Sequence, residues 1–457
     1  MASPSTTLSI PRLRDDFTGR VIAPDDTEYD AARTVFPGGI DRRPAVIVQV
    51  EDAADVSRAV VLARETGLEL AVRSGGHSGA GHGVCDGGIV LDLSRLRELD
   101  IDAEGRTAWA QTGLTAAEYA ASAGALGLAT GFGDTGSVGI GGITLGGGVG
   151  YLVRKYGLTI DSLLAAEIVT ADGELLRVDE DNHPDLFWAI RGGGGNFGVA
   201  TRFQFRLEEL PTVVGGMLLL PATSEVIAAF IAEAEAAPYE LSTIANVMPA
   251  PPMPFVPEEH RGKLSIMALM CHTGPTDEGQ RALAPFRALA TPIVDMVRPI
   301  PYPEMYPPED ESYHPVTVNR TLFVDGVNRA TADTMLEHIG ASSAMMSVAQ
   351  LRVLGGAVAR VPNDSTAYAH RGRRIMVNVA AVYQNPDDRA THEEWATDFA
   401  AALRTRDGAY VNFLVDEGKD RVREAYPGPT WDRLTAVKKR YDPTNLFRRN
   451  QNIPPAA

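Results

Sequence analysis

The chain has 457 residues, 44% hydrophobic and 22% charged, with 42 Lys and Arg against 59 Asp and Glu for a formal charge of −17. That length exceeds a single core and the composition is ordinary for a globular protein, so two domains are expected and disorder is not. An acidic surface repels phosphate backbones and anionic lipid heads, which argues against nucleic acid and membranes as partners.

Residues 45–51, AVIVQVE, read as a strand, and Asp52 to Thr66 then carries Val56, Ala59, Val60 and Ala63 at helical spacing. A second strand at 69–72 completes a strand-helix-strand unit. It opens into a glycine-dense loop, RSGGHSGAGHG at 73–83. Residues 88–93 and 107–112 are further strands, and Thr115 to Gly127 reads as a helix with Thr115 as N-cap and Glu118 completing a capping box. A second glycine-dense stretch, GFGDTGSVGIGGITLGGGVG at 131–150, follows directly.

A short helix or turn at 152–156, a hairpin of strands 164–170 and 175–178, and a helix opened by Pro184 and Asp185 come next. That helix is stopped by a third glycine cluster at 192–195, and a strand at 199–207 ends the first expected domain, 1–207. Residues 208–408 have another texture, with strands at 262–270, 316–323 and 374–383 and helices near 224–236, 279–289 and 330–339. They predict an antiparallel sheet covered by helices. A last segment, 409–457, reads as a strand at 409–414, a helix at 431–441 and a polar tail expected to return to the first domain.

Glycines this dense at strand ends offer backbone N–H groups to something bulky, and a phosphate-bearing cofactor is the natural occupant. The plainer alternative is a flexible linker or strand-end bulge. Interleaved Val138, Ile140, Ile143 and Leu145 are too apolar for a linker.

Cys85 and Cys271 stand far apart with no metal-binding spacing, so each reads as a small buried apolar residue and no metal site is expected. The N-terminal stretch has no basic head leading into a long apolar run, and no segment of about 18 apolar residues appears. Cytoplasm is the resulting expectation.

Taken together, RSGGHS at 73–78, SVGIGGITLGGGVG at 137–150, RKYGL at 154–158, DLFWAIRGGGGNFGV at 185–199, YVNF at 410–413 and YDPTNLFRRNQNIPP at 441–455 resemble a known family. It is the covalent-FAD oxidases of the vanillyl-alcohol oxidase and p-cresol methylhydroxylase superfamily, berberine bridge enzyme-like branch. The resemblance implies an α+β fold: a two-subdomain p-cresol methylhydroxylase-type FAD-binding domain, plus a substrate domain. It implies FAD held by Arg73, Ser74, Gly75, Gly76, His77 and Ser78, then by Thr135, Gly136, Ser137, Val138, Gly141, Gly142 and Gly148. Tyr156, Gly157, Val199, Asn412, Asn450 and Asn452 complete the implied set.

By the same resemblance, His77 joins the flavin 8α-methyl carbon, and Thr135 stands where many relatives carry a second, cysteine tether. A single tether is therefore expected, which lowers the case for an oligosaccharide substrate. Val138 matches the position that gates oxygen, and valine there resembles the oxidases. Phe413 stands where many relatives have a tyrosine base, and phenylalanine has no proton to exchange. Strand alternation would put Tyr410 and Asn412 on the face opposite Phe413. Asn378, Tyr151 and Asn412 are the catalytic candidates, with His314, His370 and Tyr426 as others; each also has a purely structural reading.

The expected activity is hydride removal from a C–OH or C–N carbon of a small molecule, with electrons passed to O2 to give H2O2. A flavin dehydrogenase with another acceptor and a flavin-binding protein without turnover stay open. A nicotinamide site is weaker, because the glycines at 146–150 lack the G-x-G-x-x-G spacing.

Overall fold

A computed structural model describes residues 8–310 and 312–457. Three sheets organise the chain. In the first, strands run in the order Arg20–Ile22, Val46–Gln49, Ile89–Asp92, Leu70–Arg73, and the last three are mutually parallel. Parallel pairing demands a crossover, which the helix Ala53–Thr66 supplies. Asp52 caps that helix at Asp55 N, Gly67 ends it in the left-handed region, and Val56, Ala59, Val60 and Ala63 are buried as their spacing predicts.

The second sheet is antiparallel, ordered Leu99–Asp102, Thr107–Gln111, Val199–Arg206, Leu163–Val169, Leu175–Val178. Beside it lies the helix Ala116–Gly124, whose Thr115 and Glu118 form the predicted capping box. Tyr119, Phe132 and Phe205 meet edge to face at 4.9–5.9 Å in the core.

The third sheet has eight strands, all antiparallel. Its main order is Val294–Asp295, Val213–Pro221, Leu264–His272, Leu241–Pro249, Met346–Val353, Ile375–Tyr383, Val316–Val324. Period-2 alternation gives it two unlike faces. One carries Leu218, Val247, Ile266, Leu351 and Val379 beneath Phe230, Phe286, Met335 and Phe399 of four covering helices. Each such phenylalanine, once buried, contributes about 1.5–3 kcal/mol. The other face carries a row in register, Met267, Asn246, Gln350, Asn378 and Thr321. An antiparallel sheet covered on one side leaves this row for the rest of the molecule.

Two expectations need correction. The strands Val213–Pro221, Leu241–Pro249 and Met346–Val353 were not predicted; the second is buried along nearly its whole length, so it shows no alternation. Residues 409–414 are not a strand but a loop containing a 3-10 turn, Val411–Phe413. Cys85 and Cys271 are buried and unpaired, as expected. Among the described residues no helix is long and apolar enough to cross a membrane.

Candidate functional site

The glycine loops face a common cleft of about 400 Å³. Its wall takes Ser74 to Ser78 from the first loop, Thr135, Val138, Gly141 and Gly142 from the second, and Val199 from the strand beyond. Asn412 and Asn450 enter from the returning C-terminal segment, as the polar tail predicted. The loops touch where neither tolerates a side chain. A Cβ on Gly75 would lie 2.3 Å from Gly139 N, and one on Gly139 would lie 2.1 Å from Ser74 Oγ. That hydroxyl donates to Thr112 O at 2.5 Å and accepts from Gly141 N at 3.3 Å, stitching loop to loop.

Among the described residues, none accepts a hydrogen bond from the backbone N–H of Gly75, Gly76, His77 or Ser78. Buried or half-buried backbone donors are almost always paired. Four successive free donors on a cleft wall therefore make an anion cradle.

His77 stacks on Phe36 with ring centroids 4.0 Å apart and an interplanar angle of 17°. Burial depresses its imidazole to about 4, with Glu309 and the Ser137 backbone pulling the other way. The ring is thus neutral at neutral pH, with a nitrogen lone pair available. Gly136 and Ser137, expected to contact a cofactor, instead hold a carboxylate. Glu309 accepts from Gly136 N at 2.7 Å, Ser137 N at 3.1 Å and Ser137 Oγ at 2.5 Å.

Other expected contacts are structural here. Arg73 lies at the wall, but its guanidinium is taken up by Asp92 at 2.8 Å and by the carbonyls of Ala32 and Thr34 at 2.6 and 3.2 Å. Gly148, Tyr156, Gly157 and Asn452 lie outside the cleft wall. Gly148 N donates to the Tyr410 hydroxyl at 2.9 Å, and Gly157 turns the chain at φ +92°. Their neighbour Arg154 is buried and donates to the carbonyls of Ala234, Leu241 and Ala237 at 2.7–3.0 Å, closing the C-terminal end of the helix Ser224–Ala236. Asp161 takes a two-pronged Arg371 guanidinium at 2.7 Å on each oxygen. Through Arg154 the RKYGL motif is a joint to the large sheet.

Because 409–414 is a loop, Tyr410, Asn412 and Phe413 all reach the cleft, which corrects the opposite-face reading. Asn412 donates to Ile143 O and to the Tyr410 hydroxyl, both at 3.0 Å, so it braces the loop. Tyr151 is buried and its hydroxyl donates to the carbonyl of Asp134 at 3.1 Å. Burial pushes that phenol well above its usual range, with the Asp134 charge adding, and Tyr151 lies outside the cleft wall. Asn378 stays in the amide row, accepting from Asn319 at 3.3 Å. His314 faces the Phe36 carbonyl, His370 the Glu424 carbonyl, and Tyr426 donates to Gly192 O, and none of the three lines the cleft.

Two residues that the sequence reading passed over stand at that end. Asp134 lines the cleft, and the guanidinium of buried Arg352 donates to its Oδ2 at 2.9 Å. Arg352 also lies 5.0 Å over the Phe413 ring and donates to Val149 O at 2.9 Å. The only signals in sequence were one acid inside a glycine loop and one arginine in an apolar run.

Residues 44–179 match the family described as an FAD binding domain, and residues 409–454 match the family described as berberine and berberine like. The chain is 32% identical over 459 residues to the (R)-6-hydroxynicotine oxidase of Paenarthrobacter nicotinovorans, covering 96% of this chain and 97% of that one. The chain belongs to the berberine bridge enzyme-like family of FAD-linked oxidoreductases. A crystal structure of 6-hydroxy-D-nicotine oxidase from Arthrobacter nicotinovorans superposes with a TM-score of 0.86 at 29% identity, over 96% of this chain and 98% of that one. The xylooligosaccharide oxidase of Thermothelomyces thermophilus is 29% identical over 95% of this chain and 92% of its own.

This berberine bridge enzyme-like cleft fits FAD on its own terms. The four free N–H groups of 75–78 suit a pyrophosphate, and Asn450 presents a buried Oδ1 with no partner to a donor on the cofactor. When bound, FAD supplies the two-electron sink. The protein supplies the cradle, the His77 imidazole, and a cleft end furnished with Val138, Asp134 and Phe413.

Proposed function

We propose that the protein is an FAD-dependent oxidase that removes a hydride from a C–OH or C–N carbon of a small, uncharged molecule and hands the electrons to O2, giving H2O2. In this reading FAD is bonded to the chain through His77 alone, because Thr135 offers no thiol. Residues 1–207 and 409–457 carry the flavin, and 208–408 carry the substrate.

One observation carries the reading. Among the described residues on the cleft wall Asp134 is the sole carboxylate, and it is joined through the Arg352 guanidinium to Phe413, whose ring has no acid–base function. One Asp134 oxygen is held by Arg352, which leaves the other to accept the O–H or N–H hydrogen of a substrate. Asp134 would take the substrate's O–H or N–H proton, and FAD held by the glycine loops would supply the two-electron acceptor, so that an alcohol would become a carbonyl and an amine an imine. Asp134 and Arg352 together carry no net charge, which favours a neutral donor group over a cation. The amide row Asn246, Gln350 and Asn378, with Met267 beside it, suits the same kind of molecule. Among its relatives, one oxidase is named for a hydroxynicotine, an amine, and another for a xylooligosaccharide, an alcohol.

The test is to denature purified protein in acid, ask by absorbance and intact mass whether flavin stays with the chain, and then screen neutral amines and alcohols for peroxide release. Flavin lost to the supernatant would remove the tether. Fast reduction with slow reoxidation in air would replace O2 by another acceptor, and no flavin at all would end the proposal.

A further inference from the structure

Glu309 belongs to the segment between the turn Tyr302–Met305 and the strand Val316–Val324, far in sequence from both glycine loops. It nevertheless spends both oxygens on the second loop, accepting from Gly136 N, Ser137 N and Ser137 Oγ. The same loop is pressed against the first, since a Cβ on Gly75 would lie 3.1 Å from Ser137 O. A negative charge is thereby held on Ser137, the residue whose backbone hydrogen-bonds the His77 ring. The neighbouring acid Asp310 is turned to Ser312 instead. The segment is also anchored beyond Glu309, with Gly38 N donating to Pro315 O at 2.9 Å. Nothing in the proposed turnover uses this carboxylate.

We infer that Glu309 is a positioning residue for the attachment of FAD to His77, its carboxylate offsetting the positive charge that the imidazole gains as its nitrogen bonds the 8α carbon. The inference rests on the attachment reading above. Burial keeps the His77 ring neutral and so nucleophilic, but the same burial opposes the cation that alkylation creates. A carboxylate pinned by three donors meets that charge without reorganising. In balance, one methyl C–H bond breaks and one C–N bond forms. The electron pair reduces the flavin, and the methyl and imidazole protons end on it. O2 then takes the pair as H2O2 and restores the oxidised flavin.

Apoprotein from riboflavin-starved cells is mixed with FAD in air, and the covalent fraction is followed by intact mass after acid. Wild type gains the mass of FAD less two hydrogens. Glu309→Gln, which keeps the shape, does so about tenfold more slowly; the exposed carboxylate keeps the factor modest. High salt slows wild type toward the variant and leaves the variant unchanged, which a merely structural role would not produce. FAD affinity, measured by fluorescence in His77→Ala and in His77→Ala/Glu309→Gln, stays equal. Equal attachment rates for wild type and Glu309→Gln would overturn the inference, as would a slower rate explained by weaker FAD binding in the His77→Ala pair. No covalent mass in wild type would overturn the attachment reading itself, and the inference with it.

Discussion

The Lys438 ammonium lies 2.7 Å from the Asp442 carboxylate, and neither side chain reaches solvent. Lys438 also donates to Asn196 O at 2.7 Å and Phe447 O at 2.9 Å, while Asp442 accepts from the N–H groups of Leu446 and Phe447 at 2.7 and 2.8 Å. Every charge is paired, and the pair ties the third glycine cluster to the chain that returns to the cleft. Lys438→Met leaves a buried carboxylate unmatched, so it is expected to cost about 3–5 kcal/mol of stability. Urea unfolding measures this, and a loss under 1 kcal/mol would mean that the pair is dispensable.

Gly139→Ala is expected to yield folded protein with little flavin. Its Cβ would sit 2.1 Å from Ser74 Oγ and 2.2 Å from Gly75 N, forcing the two loops apart at the anion cradle. The ratio of flavin to protein absorbance reads the effect, and full occupancy would show that the loops can part without loss.

Thr135→Cys in a His77→Ala background is expected to restore acid-stable flavin in part. Thr135 lies on the cleft wall at the position where the family resemblance implies a second tether, and a thiolate is the better nucleophile. Intact mass decides; an unmodified chain after long incubation with FAD and air would show that residue 135 is out of reach.

Stability is expected to fall as pH drops from about 6.5 to about 4. Burial lowers His82 to about 4, helped by Arg42, and lowers His370 to about 4, helped by Arg373. Unfolding frees both rings to protonate near 6.5, so below that pH the unfolded state binds more protons and gains. Each ring contributes a slope of up to about 1.4 kcal/mol per pH unit in this window and none above it. Urea midpoints from pH 4.5 to 8 test the sign, and His370→Gln should flatten the profile; a midpoint constant across the window would contradict it.

Much of the first half was legible from sequence because its signals are local. The Thr115 and Glu118 capping box, the helical spacing from Val56 to Ala63, and the glycine loops around His77 each declare themselves within a dozen residues. The large sheet was legible only in part. Leu241–Pro249 is buried on both faces and so loses the period that marks a strand, and Val213–Pro221 carries two adjacent glycines. YVNF at 410–413 has strand-like residues, but the hydroxyl of Tyr410 and the amide of Asn412 tie it to the glycine loop instead. The reacting end was the least legible. Asp134 and Arg352 are 218 residues apart in sequence and acquire meaning only when their 2.9 Å contact forms.

The cleft wall includes residues as late as Gln451, whose side chain donates to Leu414 O, while its first glycine loop is made from residue 73 onward. A nascent chain therefore carries one half of the flavin cradle through most of its synthesis with no opposite wall. The opposite wall of the cradle is complete only once residues through Gln451 have emerged from the ribosome. Ribosome-stalled chains ending before residue 447 would take up no flavin.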